Sequence, residues 1–387
     1  MTLTRDVSHA LTKARGIEGY LDSDPALRVR YARAKHLRRV ARHSNNYDLT
    51  SRCNLFCEGC FYFEGDDYKR AKEEFDLLKW RAFFKTQGEQ GVTYANIAGA
   101  EPALEQRRIA IAYEFIKRGC VFTNGTIKID PSIGYAILIS VWGDELTTAK
   151  LRGGGVFRKA LRKYQGDHRA RVMFTVHAKN VDQIPAVTRV IADHGIKISF
   201  NYYSPTESYL DKLARNESND DKFFRLSSQD DNLTLTPEAL VRVRNAIDEM
   251  IDRYPGLVIH SHAFNRVITQ PEGIYDVDPE TGIARNCNGK SFRWHQTYRV
   301  DLNVSNSKCC APNTSCKSCR LNAIALGSLM FQQERFLDSL NDFRNWLDIC
   351  DQWGRGHLLE SDPIWSVEGE TGPLPIDAGE TARYAFG

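Results

Sequence analysis

The 387-residue sequence predicts an α/β protein. The expected architecture is a partial (βα)6 barrel, preceded by a helical segment and followed by a small cysteine-rich subdomain. Three observations predict it. From residue 46 onward, short β-type runs alternate with helical stretches, which implies parallel strands joined by right-handed crossovers. The tightest cysteine spacing in the chain falls directly after the first of those runs, and a second cysteine set lies well beyond the last. Six parallel strands can curl into an open, TIM-like barrel, and such arrays do their chemistry at the C-terminal strand ends. The expected divisions are 1–45 for the helical segment, 46–255 for the barrel, 256–325 for the cysteine-rich region, and 326–387 for closing helices and a tail.

The elements follow in order. Ser23-Asp24-Pro25 supplies a cap and a first-turn proline for a helix with Leu27, Tyr31, Leu37 and Val40 on an approximate apolar stripe. Its other face carries Arg28, Arg30, Arg33, Lys35, Arg38, Arg39 and Arg42 and is expected to be a solvated basic face, with phosphate binding as the functional alternative. Strands are expected at 47–50, 94–98, 121–123, 136–141, 172–177 and 196–202, with helices at 73–87, 106–118, 155–164 and 181–194 between them. The polar stretch 205–235 is either a lid or a solvated loop at the active end of the barrel. Thr236-Pro237-Glu238 caps a helix to about Arg253, and further helices are expected at 321–335 and 340–353.

Composition narrows the class. Hydrophobic content of 42% and charged content of 26% are ordinary for a globular protein, and a net charge of +3 points to no polyanion partner. No apolar run approaches the roughly 20 residues of a membrane span. The N-terminus lacks a secretory apolar core, so a cytoplasmic chain is expected. Ten cysteines in such a chain argue for metal or catalytic use over disulfides. Cys120 and Cys350 stand alone and read first as small buried hydrophobes.

Cys53, Cys57 and Cys60 form a C-x3-C-x2-C loop. Three thiolates on one short loop can hold three irons of a cubane 4Fe-4S cluster and leave the fourth iron open to a ligand. A structural zinc site asks for four ligands, usually from two separated pairs.

With that loop placed after the first strand, the chain resembles the radical S-adenosylmethionine (radical SAM) superfamily over roughly residues 46–205. Phe56 precedes the second cysteine as in the family motif. Gly99-Ala100-Glu101-Pro102 after the second strand is similar to its Gly-Gly-Glu-Pro element, with Ala100 in place of a glycine. Thr123-Asn124-Gly125 ends the third strand, and Ser140-Val141-Trp142-Gly143 ends the fourth, with Trp142 where many relatives have Asp or Tyr. Lys150-Leu151-Arg152-Gly153 follows.

The resemblance implies an enzyme that binds S-adenosylmethionine at the open iron and cleaves it reductively to a 5′-deoxyadenosyl radical, which abstracts a substrate hydrogen. It implies ammonium contacts around Gly99, Ala100 and Glu101, and a carboxylate contact from Arg152 or Lys150, with Arg the better bidentate partner. Ribose contacts fall to Ser140, Asn124 and Thr175, and adenine packing to Phe61. A flavodoxin or ferredoxin is the expected reductant.

Cys287, Cys309, Cys310, Cys316 and Cys319 supply four thiolates with one of the adjacent pair left over. The set is similar to the auxiliary-cluster ("twitch") region of some radical SAM enzymes, shorter than the SPASM type. A second 4Fe-4S cluster is expected, with zinc as the rival occupant of the same ligands. A strand over 298–302 is expected to form the hairpin of that region.

The expected reaction is an oxidation of a sugar-like or amino-alcohol small molecule of secondary metabolism, assisted by the second cluster. The short helical segment before the barrel, without room for a leader-peptide module, favours that over a peptide. Peptide modification, or epimerisation with a cysteine hydrogen donor such as Cys350 or the unused member of Cys309/Cys310, is the alternative. Tyr203 and His177, with Asn201 and Tyr202, are expected to line the substrate pocket. A reading of another class is a zinc-stabilised nucleic-acid-binding protein using the basic helix.

Overall fold

The computed structural model describes residues 16–64, 72–216, 222–305, 309 and 314–366. Seven strands form one sheet in the order β6-β5-β4-β3-β2-β1-β7: β1 Ser44–Asp48, β2 Tyr94–Ala98, β3 Gly119–Thr123, β4 Ala136–Val141, β5 Ala170–Val176, β6 Lys197–Tyr202 and β7 Thr297–Tyr298. Every pairing is parallel. Each of β1 to β5 pairs with its successor, as a singly wound partial barrel requires, and β7 pairs with β1. The helices are α1 Ala26–Arg42, α2 Leu77–Glu89, α3 Gln106–Phe115, α4 Glu145–Arg152, α5 Phe157–Tyr164, α6 Ile184–Asp193, α7 Glu207–Arg215, α8 Pro237–Arg253, α9 His262–Ile268, α10 Asn322–Met330 and α11 Leu340–His357. Single helical turns lie at Phe61–Glu64 and Asn288–Ser291.

The helix starts follow local chemistry. Asp144 caps α4 by accepting from the Thr147 amide, Thr206 caps α7, and Thr236 caps α8 ahead of Pro237. One continuous apolar core runs from Leu21 on the N-terminal side to Ile364 near the C-terminal side.

Two features of packing depart from the sequence reading, and the stretch 205–235, expected as a lid or loop, contains the helix α7. First, four cations of the arginine face of α1 are engaged within the fold, while Arg39 stays exposed. Arg30 pairs with Asp348 and Asp351 of α11 at 2.7 and 2.8 Å, and Arg33 reaches Asp351 at 3.5 Å. Arg38 and Arg42 lie over the Phe331 ring. Arg30 and Arg33 hold α1 on the last helix, and Arg38 and Arg42 hold it on the end of α10. Second, the expected hairpin strand of the cysteine-rich region joins the barrel sheet. Thr297 and Tyr298 pair with Asn46 and Tyr47 of β1, because Tyr298 stacks on Tyr47 at 5.5 Å between ring centroids and meets Phe83 edge-on at 5.0 Å. A bridge from Tyr298 to Val304 keeps the return of a hairpin.

The cysteine-rich region therefore touches both edges of the open sheet. On the β1 side it contributes β7. On the β6 side Arg320 N donates to Ser204 Oγ at 2.8 Å, Asn322 N to Asn201 Oδ1 at 2.9 Å, and Asn322 Nδ2 to Phe200 O at 2.7 Å. These bonds seat α10 beside β6 and close the gap that six strands leave.

The barrel is hollow where a full one would be packed with branched apolar side chains. In β1 the period-2 alternation turns Ser44, Asn46 and Asp48 inward, and β2 turns Tyr94, Asn96 and Ala98 inward; all line one cavity of about 300 Å³. Polar or small groups at inward positions leave room for an occupant.

Candidate active site

The cysteine loop is fixed at its entry by a buried carboxylate. Glu73 accepts from Thr50 Oγ1 at 3.0 Å, Ser51 N at 2.9 Å, Ser51 Oγ at 2.7 Å and Arg108 Nη1 at 2.6 Å. Burial pushes its carboxyl up, but the Ser51 amide, the Arg108 guanidinium and the two hydroxyls outweigh burial and hold it below the usual range. The next turn is tied to the end of β2: Ala100 N donates to Thr50 O and Glu101 N to Arg52 O, both at 2.9 Å. Gly99 sits at φ +118°, and a Cβ there would stand 3.0 Å from Leu49 N and Thr50 O, so the approach demands glycine.

From this frame Cys53, Cys57 and Cys60 line the cavity, together with Phe61, Gly99, Ala100, Glu101, Asn124, Ser140, Trp142, Arg152, Thr175 and Tyr203. The strand ends thus bring the whole set of expected cofactor-binding residues to one place. Arg152, in the last turn of α4, points Nε at Cys57 Sγ (3.3 Å) and donates to Ser140 O. Leu55 N lies 3.4 Å from Cys53 Sγ. N–H donors on the sulfurs and a cation beside them suit thiolates that carry negative charge. Burial pushes the Cys53 thiol up, and Cys60 up to about 12. A coordinating metal deprotonates such thiols outright. Among the described residues, no group of three or more His, Cys, Asp or Glu side chains stands ready-made around a single ion. The fit to a cluster is carried by the converging thiols and their donors.

Two expected ligand contacts are engaged within the chain. Glu101 is buried, and its carboxylate accepts from Ala103 N at 3.0 Å, Thr123 Oγ1 at 2.6 Å and Asn124 N at 2.7 Å. Burial raises its carboxyl against those bonds. Asn124 Nδ2 donates to Asn54 Oδ1 at 2.8 Å, and its Oδ1 accepts from Thr126. Both side chains shape the floor of the site and brace the cysteine loop. Among the described residues the hydroxyls of Ser140 and Thr175 have no hydrogen-bond partner and face the cavity. Phe61 is exposed at its mouth.

Two of the three expected catalytic residues lie elsewhere. His177 is fully buried and does not line the cavity. Its Nε2 lies 3.1 Å from Trp142 O, and Lys179 N donates to its Nδ1 at 3.2 Å, which sets a neutral ring with the proton on Nε2. Burial pushes it down to about 3. Its work is to hold the β4 and β5 ends. Cys350 is fully buried in α11, interacts electrostatically with Arg38 and Arg30 of α1, and does not line the cavity, so it is not placed to return hydrogen to anything in the lumen. Tyr203 does line the cavity, with its hydroxyl donating to Gly59 O at 3.3 Å.

His177, His260 (also pushed down to about 3) and His357 (about 4) are neutral in the folded chain. The unfolded chain protonates them below about 6.5. The unfolded state then binds more protons, so stability present above pH 6.5 is lost as pH falls toward 4. Denaturation midpoints measured across that window are expected to decline steadily.

A residue that sequence reasoning passed over ties the polar stretch to the cysteine loop. Glu58, inside the motif, is fully buried and accepts from Arg225 N at 3.0 Å and Leu226 N at 3.2 Å. Gly59 N donates to Phe223 O at 2.7 Å, and Arg225 reaches Phe56 O and, at 3.1 Å, Lys150 O. The segment 222–226 is therefore pinned over the loop; the acidic run at 217–221 lies outside the described residues. The signal was a carboxylate between two cysteines, where a solvated loop needs none. Glu58→Ala is expected to speed hydrogen exchange of the Arg225 and Leu226 amides roughly ten-fold, while exchange in β3 stays unchanged.

The second cysteine group also converges. Cys287 interacts electrostatically with Cys309 and Cys316, and Cys319 with Cys309, Cys287 and Cys316. Burial pushes the Cys287 and Cys319 thiols up. Cys310 lies outside the described residues. Among the described residues, no helix is long and apolar enough to cross a membrane.

No protein-family profile matches the sequence, and no curated protein matches it. Solved structures with a similar outline include Streptococcus suis SuiB bound to S-adenosylmethionine, at 16% identity over 69% of this chain and 60% of that one, TM-score 0.48. SuiB bound to precursor peptide SuiA matches at 15% identity over 70% and 60%, TM-score 0.48. Native anSMEcpe with bound AdoMet and Cp18Cys peptide matches at 16% identity over 81% and 88%, TM-score 0.44. The chain thus spans about 60% of the length of SuiB. At these identities the likeness is one of fold outline.

Proposed function

We propose that the chain is a radical SAM enzyme. The single observation that carries the reading is the convergence of Cys53, Cys57 and Cys60 with Gly99, Ser140, Arg152 and Thr175 on one hollow, polar barrel lumen. When bound, a 4Fe-4S cluster with S-adenosylmethionine would supply a 5′-deoxyadenosyl radical for hydrogen abstraction. The three thiols would hold the cluster. Arg152 would stabilise charge beside Cys57 and the ligand carboxylate, and the free hydroxyls of Ser140 and Thr175 would receive the ribose. The pinned segment 222–226 would keep water out, and a flavodoxin or ferredoxin would deliver the electron.

Cys287, Cys316 and Cys319, with Cys309 or Cys310, would hold the second cluster; Cys309 interacts electrostatically with Cys287 and Cys319. The substrate is proposed in two forms, a small metabolite or a peptide such as those bound in the SuiB and anSMEcpe complexes. The two stand level, because the preference for a small molecule drew only on the short segment ahead of the barrel. The nucleic-acid reading loses its main support, since Arg30, Arg33, Arg38 and Arg42 are engaged within the fold.

Iron, sulfide and zinc counted on anaerobically purified protein test the proposal. About eight irons per chain are expected. About four irons with one zinc would replace the second cluster by a structural ion, and no iron would overturn the enzyme reading.

A further inference from the structure

The lumen below the cysteine loop holds a carboxyl with one oxygen left unbonded. Asp48, the last residue of β1, is 5% exposed and lines the cavity. Its Oδ2 is buried without a hydrogen bond. A buried carboxylate left alone is costly, and proteins retain one where something else completes it. The Tyr62 hydroxyl, which interacts electrostatically with Asp48 and lines the same cavity, donates to Thr50 O at 3.2 Å. The pair of Asp48 in β2 is Ala98, a small side chain that leaves space beside it. Among the described residues lining the cavity the only charged base is Arg152, and that guanidinium is held on Ser140 O next to Cys57. Of the two histidines of the lining, His295 lies with Nδ1 2.7 Å from Ser44 O and Nε2 3.1 Å from Asn46 Nδ2, and burial pushes His357 down to about 4.

We propose that Asp48 is the substrate-positioning residue of the lumen and that it receives a primary ammonium group. The substrate is then an amine, either a small amino compound or a lysine-type side chain of a peptide. This rests on the reading of the cavity as an active site. The ammonium supplies the missing counter-charge and hydrogen bonds to Asp48, and Asn46, two residues earlier in β1 and lining the same wall, offers a further amide oxygen. Burial alone pushes the Asp48 carboxyl up to about 7, so a cation arriving beside it ionises it readily.

The test is ligand-observed NMR on the anaerobically purified protein with n-butylammonium and n-butanol, which share a shape and differ in charge. Wild type is expected to bind the ammonium about ten-fold more tightly than the alcohol or better. In Asp48→Asn that preference disappears, and in Ala98→Leu, which fills the space but keeps the carboxyl, the ammonium no longer binds. Asp48→Asn relieves a buried carboxyl with an unbonded oxygen and is expected to fold at least as stably as wild type. Equal binding of alcohol and ammonium in wild type, or a preference that survives Asp48→Asn, would overturn the proposal. Glucosamine and N-acetyl-Ala-Lys-Ala-amide, run as further probes, separate the two sources: whichever shows the Asp48-dependent signal names the substrate form, and a signal from neither also overturns it. Iron counted on the same samples keeps the two failures apart, since an iron-free protein sinks the enzyme reading while the ammonium preference stays readable.

Discussion

Replacing Cys57 with alanine is expected to remove the iron of the front loop, about half of the total, and with it all S-adenosylmethionine cleavage. The loop itself should keep its course. Phe56 N and Glu58 N, on either side of Cys57, donate to Arg152 O at 3.0 Å and Leu151 O at 2.7 Å, and neither bond involves the thiol. The loss is therefore one of coordination and not of folding. Cys120→Ala is the matched control: Cys120 is buried in β3 against Asn96 Oδ1 at 3.6 Å, away from both cysteine groups, and iron content should be unchanged. Iron assay and visible absorption of both variants check the pair. Equal loss in both would assign the effect to general instability.

The largest stability effect is expected at Arg108. Its side chain is 2% exposed, bonds Glu73 and Leu49 O, and lies 5.2 Å from the Trp80 ring centroid. Arg108→Ala leaves the Glu73 carboxylate buried without its cation, and loss of one member of a buried pair costs about 3–5 kcal/mol. The cost should appear in urea denaturation. It should also reach the active site, because Glu73 holds Thr50 and Ser51 at the entry of the cysteine loop. Glu73 gains stability from a lowered carboxyl, so that part is present at neutral pH and fades as pH falls through its folded range. Arg108→Ala should flatten this acid dependence.

Much of the barrel was legible because strand–helix alternation is a local signal. The expected spans 94–98 and 136–141 coincide with β2 and β4, and the Thr236-Pro237 cap starts α8 where its chemistry says. Local signals do not report which surfaces meet. The arginine stripe of α1 looked solvated because its partners, Asp348 and Asp351, lie more than three hundred residues on. Thr297–Tyr298 looked like an internal hairpin because nothing near it in sequence announces β1 as its neighbour. His177 and Cys350 carried the right chemistry at the wrong depth: residue type suggests a role, but burial and facing decide it. Asp48 and Glu58 were missed for the converse reason. Each is an ordinary polar residue in sequence, and only the fold shows one with an unbonded oxygen in the lumen and the other clamping a loop.

The most direct test is 5′-deoxyadenosine formation. Reconstituted under anaerobic conditions, reduced with dithionite and given S-adenosylmethionine, the wild-type chain is expected to release 5′-deoxyadenosine and methionine, and Cys57→Ala none. Iron-loaded wild type that leaves S-adenosylmethionine intact, or Cys57→Ala that cleaves it as fast as wild type, would contradict the assignment of Cys53, Cys57 and Cys60 as the seat of the chemistry.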